Sequence, residues 1–123
     1  MSSSEDDVLR FIAASFPSVW ALELLLTLKS EPRPWTRAEL VETLRASDLV
    51  VSKAVDALVA AGLASIEADQ LTYMPANQSI GESVERAEAL YRTRPDAVRR
   101  VIVSAGTSSA AAFADAFKFR RPQ

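Results

Sequence analysis

The chain has neither cysteine nor histidine among its 123 residues. The missing cysteines exclude disulfides and thiol chemistry, and the missing histidines exclude the imidazole general base. Without either residue, the usual ligands of zinc are also absent. Glycine is scarce as well, with three residues, and the stretch 106–109 lacks the lysine and the glycine spacing of a phosphate-binding loop. We predict that the protein is not an enzyme and uses no cofactor and no metal.

Long apolar runs are also missing. The longest, residues 19–28, is interrupted by Glu23 and falls short of the roughly 20 residues that a membrane span needs. The first seven residues contain three acidic side chains and no basic one, whereas a secretory leader begins with basic residues. These features predict a cytoplasmic protein without a membrane partner. A length of 123 residues, with 49% hydrophobic and 24% charged, suits one globular domain.

The net charge of −2 is unevenly distributed along the chain. Residues 1–76 contain 6 basic and 11 acidic side chains, a balance of −5, whereas residues 77–123 contain 8 basic and 5 acidic, a balance of +3. The cations are therefore concentrated towards the C-terminus.

The clearest local signals lie between residues 35 and 73. Thr36 and Glu39 have the spacing of a capping box, and Trp35 is placed to pack on Leu40 as a hydrophobic staple. Ser47 can cap a following helix over residues 48–61, which Gly62 would end in the left-handed conformation. Two short strands are predicted near residues 64–67 and 71–74, with a tip at 68–70 that contains no glycine.

Helical patterns flank this region on both sides. A first helix capped by Ser4 and a largely apolar helix over 19–29 precede it, separated from it by a proline-containing connection at 31–34. A helix over 79–93, another from Pro95 and a last one over 109–119 follow it. Glu82, Glu85 and Glu88 recur every three residues and are interpreted as the solvent-facing side of the helix over 79–93, paired with Arg86 and Arg92.

This order of elements, with the segments 38–44 and 49–63, resembles the winged helix-turn-helix regulators of the MarR-like family. The most specific part is 55–63. There a helix ends in the pattern Leu-x-x-x-Gly-Leu and leads directly into a strand. The resemblance implies a mainly α fold, a winged helix-turn-helix with a short two-stranded wing and extra N- and C-terminal helices. It also implies a single domain with two parts. Residues 1–76 form the winged helix-turn-helix with its N-terminal helix, and residues 77–123 form a C-terminal helical extension packed on that part.

In that family the third helix enters the DNA major groove, the wing contacts the backbone or minor groove, and flanking helices form a dimer. Carried over by position, the candidate DNA contacts are Arg37, Arg45, Ser47, Leu49, Ser52, Lys53 and Asp56. This chain departs from the pattern at the wing, where Glu67 and Asp69 replace the usual cations. The resemblance predicts a dimeric transcription regulator that binds double-stranded DNA.

Two alternatives remain open at the level of sequence. The winged helix could instead be an adaptor that binds another protein through Leu49 and its neighbours. Alternatively, Leu49 could tuck beside the turn while Lys53 and Asp56 form a solvated pair. The candidate contacts with a dimer mate or another partner are Phe11, Ile80, Val84, Tyr91, Phe113 and Phe117. The aromatic and basic tail could dock on the first helix of its own chain or of a partner, follow DNA phosphates, or lie on an acidic membrane surface.

Overall fold

The structure is a computed structural model, and it describes residues 5–105. The predicted cap at Ser4 and the predicted helix over 109–119 lie outside these residues. Two of the candidate partner contacts, Phe113 and Phe117, also lie outside them.

Helices dominate the described part of the chain, which also contains a small antiparallel sheet. The order of elements is α1 (Glu5–Ser15), α2 (Val19–Ser30), β1 (Trp35–Thr36), α3 (Arg37–Leu44), α4 (Asp48–Ala60), β2 (Ala64–Glu67), β3 (Gln70–Tyr73), α5 (Gln78–Thr93) and α6, residues 95–105. The prediction of a mainly α protein is confirmed. The predicted starts of α2, α3, α4 and α5 lie within one residue of those observed.

Helix α2 is the centre of the core. Ser18 caps it by accepting a hydrogen bond from the Ala21 amide at 3.2 Å. Its buried side chains pack chiefly on α4 and β3, and they are Ala21, Leu22, Leu24, Leu25 and Leu28. The same apolar cluster continues to Val84 on α5 and to Val98 and Ile102 on α6. The C-terminal helices therefore share one core with the rest of the described chain.

The sheet has three strands, in the order β1-β3-β2, rather than the two that were predicted. Trp35, expected only as a staple, lies in β1 opposite Leu71 and is buried. Its indole Nε1 donates to the Glu31 carbonyl at 3.0 Å. A strand of two residues is too short to show the alternation by which strands are recognised in a sequence, which is why β1 was missed.

The turn between β2 and β3 is a tight one made by two residues without glycine. Ala68 and Asp69 have φ values of 52° and 65°, and Glu67 pairs with Gln70 across them. Two successive positive φ angles are typical of the type I′ turn, whose twist matches that of the flanking strands and which prefers asparagine and glycine. A side chain in this conformation costs roughly 1–2 kcal/mol per residue, so the hairpin tip is locally strained.

Gly62 ends α4 as predicted, with φ at +76°. The Leu63 amide donates to the Leu58 carbonyl at 2.9 Å and the Gly62 amide to the Val59 carbonyl at 3.1 Å. These are the two hydrogen bonds of a Schellman motif. The motif directs the chain from α4 straight into β2.

No single helix of residues 5–105 has both the length and the apolar character to cross a bilayer. Helices α1 and α2 are long and apolar enough only when taken together, and a bend of 100° separates them.

Replacing Gly62 by alanine should destabilise the protein by about 1–2 kcal/mol, because alanine is disfavoured at positive φ and its Cβ would lie 3.2 Å from that of Ala76. The matched control is Gly81→Ala inside α5, where the new Cβ would meet Pro75 at an ordinary 3.5 Å. That change should stabilise the helix by about 0.5–1 kcal/mol. Urea denaturation measures both, and an equal effect of the two changes would contradict the assignment of Gly62.

Candidate nucleic-acid interface

Helix α4 has one buried and one exposed face. Val51, Ala54, Val55 and Leu58 are buried, and the helical period therefore directs the opposite side outward. Leu49, Lys53 and Asp56 are exposed there, as the sequence predicted. Leu49 keeps 64% of its surface accessible, which is the highest value among the large apolar side chains of residues 5–105.

The turn before α4 is set by two residues. Arg45 adopts the left-handed conformation with φ at 55°, and the following amide, of Ala46, donates to the Val41 carbonyl at 3.3 Å. Ser47 then caps α4 by accepting from the Val50 amide at 3.1 Å. Arginine thus adopts a backbone conformation that usually favours glycine. Its exposed side chain lies beside the start of α4.

Arg37 connects α3, α4 and the hairpin tip. Its Nη1 donates to the Ser52 hydroxyl at 3.2 Å, and its Nε lies 3.8 Å from the Asp69 carboxylate. Two of the predicted DNA contacts, Arg37 and Ser52, are therefore in direct contact. The same interaction brings the hairpin tip to the flank of α4.

A neighbouring cation, Arg33, is fully engaged elsewhere. Its guanidinium lies 3.9 Å from the centre of the Trp35 ring and makes ion pairs with Glu31 at 3.4 Å and Glu39 at 3.3 Å. The Thr36 amide, and after it Arg33, hold the pKa of Glu39 below its usual value. Arg33 therefore stabilises the entry into α3, together with the capping box that Thr36 and Glu39 form as predicted.

Arg45 and Lys53 differ from Arg37 in having no acidic partner. Within residues 5–105, no carboxylate lies within the 4.0 Å limit of an ion pair from either cation. The alternative pairing of Lys53 with Asp56 is thus not formed. Glu67 and Asp69 are exposed at the hairpin tip. The surface offers two unpaired cations, a third that is weakly paired, and two acids at its edge.

Of the predicted partner contacts within residues 5–105, Val84 is buried, whereas Phe11, Ile80 and Tyr91 are partly buried against the core. Phe11 stands edge-on to Phe16 with ring centres 6.2 Å apart, and Ile80 is half-buried against the core. Val84 is completely buried, so no surface of it is left for a partner. Tyr91 donates a hydrogen bond to Glu23, and its ring lies 5.5 Å from the Arg99 guanidinium.

Helix α1 explains why Val84 is not available to a partner, because α1 packs on α5 and covers the apolar face that contains Val84. The spacing of the apolar residues identified an apolar face. It carried no information about whether that face packs within the chain or against a partner.

An ion-pair network that the sequence did not reveal joins α2 to α5. The Lys29 ammonium lies 2.7 Å from Glu88 and 3.2 Å from Glu85, and Glu88 also pairs with Arg92 at 3.2 Å. The hydrogen bond to Glu88 holds the pKa of Lys29 above its usual 10.5, although burial opposes the shift. The pairing of Arg92 was predicted; that of Lys29 was missed because 59 residues separate it from Glu88.

Comparison with known proteins identifies no relative of the chain. No family model matches the chain, and searches among curated proteins and among solved structures find no match either. Among residues 5–105 there is also no cluster of side chains that could hold a metal ion.

The two tyrosines should ionise only above pH 10. Burial raises the pKa of both above 10.0, and the hydrogen bond to Glu23 raises that of Tyr91 further. Because the folded state favours the neutral phenol, this contribution to stability is present below pH 10 and is lost as the pH rises above it. Ultraviolet absorbance should show tyrosinate at a lower pH in denaturant than in the native protein.

Tyr91→Phe should lower the free energy of unfolding at neutral pH by about 1–2 kcal/mol, because it removes a hydrogen bond to a carboxylate. Tyr73→Phe is the matched control, since within residues 5–105 its hydroxyl has no hydrogen-bond partner. An equal loss of stability in the two variants would contradict the role of the Tyr91 hydroxyl.

Proposed function

We propose that the protein is a winged helix-turn-helix transcription regulator that binds double-stranded DNA as a homodimer. In this proposal α4 enters the major groove and the hairpin β2–β3 is the wing. The observation that carries it is the exposed face of α4, which bears Lys53 and is flanked by Arg37 and Arg45. Side chains of this kind neutralise phosphates and can hydrogen-bond base edges.

The position of the hairpin supports the same proposal. The contacts of Arg37 with Ser52 and Asp69 hold the tip beside α4. One approaching duplex could therefore meet the helix and the hairpin together. Contacts of a second element with the DNA backbone fix the orientation of a major-groove reader on the duplex.

Charge sets the expected strength of binding. With Arg33 engaged on Trp35 and two glutamates, each protomer offers Arg37, Arg45 and Lys53. A dimer then makes about six phosphate contacts, at the lower end of the range of roughly 6–10. The acids at the hairpin tip repel phosphates. We therefore expect modest affinity that falls steeply with salt, with a slope of log affinity against log salt of about −5.

Lys53→Glu should weaken binding to DNA fragments at least about tenfold and flatten the salt slope by about 2 for a dimer, because two phosphate contacts are lost. Asp69→Asn should strengthen binding, because it frees Arg37 and removes a repulsive charge while asparagine tolerates the left-handed conformation. Fluorescence anisotropy with labelled genomic fragments from about 50 mM salt upward measures both effects.

Arg86→Glu is the matched control for this experiment, because it makes the same change of charge at an exposed position of α5. Sedimentation of the complex gives the number of protomers bound. Absence of binding at low salt, or equal weakening by Lys53→Glu and Arg86→Glu, would refute the DNA interface. A monomeric complex would refute the homodimer alone.

The exposure of Leu49 favours a second candidate, a winged-helix adaptor that binds another protein. A leucine with 64% of its surface accessible at the start of an exposed helical face is the kind of anchor that helix-in-groove complexes use. The mixed charges of Lys53 and Asp56 beside it would then form the polar rim of the contact.

Leu49→Asp separates the adaptor from the regulator. A protein partner that buries Leu49 should be lost from affinity purification, since burying an unpaired carboxylate is strongly unfavourable. Ile66→Asp, at an apolar hairpin residue with 40% exposure, is the control. Equal retention of a co-purifying protein by wild type and Leu49→Asp would contradict the adaptor.

A further inference from the structure

A groove lies at the opposite end of α4 from Ser47. It has a volume of about 460 Å³. Ala13 and Ala14 of α1 form one wall, Ala57, Ala60 and Ala61 at the end of α4 form another, and Ala105 of α6 completes it. Walls made of such short side chains leave an apolar space that larger side chains from elsewhere can fill.

The described part of the chain ends at this groove. Ala105 is the last residue that the structure describes, and residues 106–123 follow it. Phe16, which is almost completely buried, and Pro17 also line the groove. The following segment contains Phe113 and Phe117, whose large apolar side chains can fill the space left between the alanines. Phe113 is eight residues beyond Ala105, and eight extended residues reach up to about 26 Å. Both phenylalanines can therefore return to the groove within the same molecule.

Electrostatics favour the same segment. Helices α1 and α4 both end beside the groove, and neither has a basic residue in its last turn. The C-terminal end of a helix carries a partial negative charge that favours cations. Lys118, Arg120 and Arg121 directly follow the two phenylalanines, so the segment brings the charge that these helix ends lack.

We propose that residues 113–121 of the same chain dock in this groove. Phe113 and Phe117 fill the space between α1 and α4, and the three cations lie near the ends of these helices. The segment acts as an intramolecular clasp that holds α1 against the C-terminal half of α4. The proposal is independent of the proposed function, because Leu49 and Lys53 lie in the N-terminal half of α4 and stay free.

The absence of cysteine from the chain allows a clean test by disulfide formation in the full-length protein. The test variant carries Ala57→Cys in the groove and Ala116→Cys between the two phenylalanines, which both remain in place. The control carries Val59→Cys with the same Ala116→Cys. Val59 is exposed at nearly the same height of α4 but about 200° around the helix from Ala57. The two variants therefore differ only in the side of the helix that is probed.

Under mild oxidation in dilute solution, the test variant should form an intramolecular disulfide about ten times faster than the control, because docking raises the local concentration of one thiol at the other. Circular dichroism confirms that both variants fold. Equal rates in the two variants would overturn the proposal. Faster formation of a disulfide-linked dimer would overturn it too, since a second copy would then occupy the groove.

Discussion

The packing of α4 on α2 is the contact on which the rest of the structure depends. Helix α2 is apolar on most sides, and α4 has one apolar face to place against it. Burying a single valine or leucine side chain contributes about 1.5–3 kcal/mol, so rotating α4 to any other face would expose several such residues. The side of α4 that bears Leu49 and Lys53 is outward for this reason. The candidate interface is thus a consequence of how the core is built.

The pairing of β3 with β1 and the burial of Leu71 position the hairpin. Polar contacts then join its tip to α4, and they do so at the expense of charge. Arg37 holds the tip beside α4 through Ser52 and Asp69, but each contact occupies part of the cation that a phosphate would need. Arg33 is a further case, because its contacts with Trp35, Glu31 and Glu39 compete with a phosphate for its charge. The number of available cations is therefore smaller than the composition of the region indicates.

Backbone strain is concentrated around the same surface. Within residues 5–105, the side-chain-bearing residues with positive φ are Arg45, Ala68 and Asp69, in the turn before α4 and at the hairpin tip. Glycine would relieve each of them, yet at Arg45 it would remove a cation from the candidate interface. Strain of this kind persists where the surrounding structure holds it and where function uses the side chain. Its position agrees with the proposed role of this face.

The sequence alone determined the elements whose signals are local. The capping box at Thr36, the cap at Ser47, the glycine at the end of α4 and the amphipathic pattern of α4 each depend on residues a few positions apart, and all are found as expected. Tertiary structure decided what depends on distant pairs. Strand β1 exists through its pairing with β3, the apolar face that contains Val84 is covered by α1, and Lys29 is paired with Glu88 across 59 residues. A pattern along the chain shows that a face is apolar or charged, but only the folded arrangement decides which distant residue meets it.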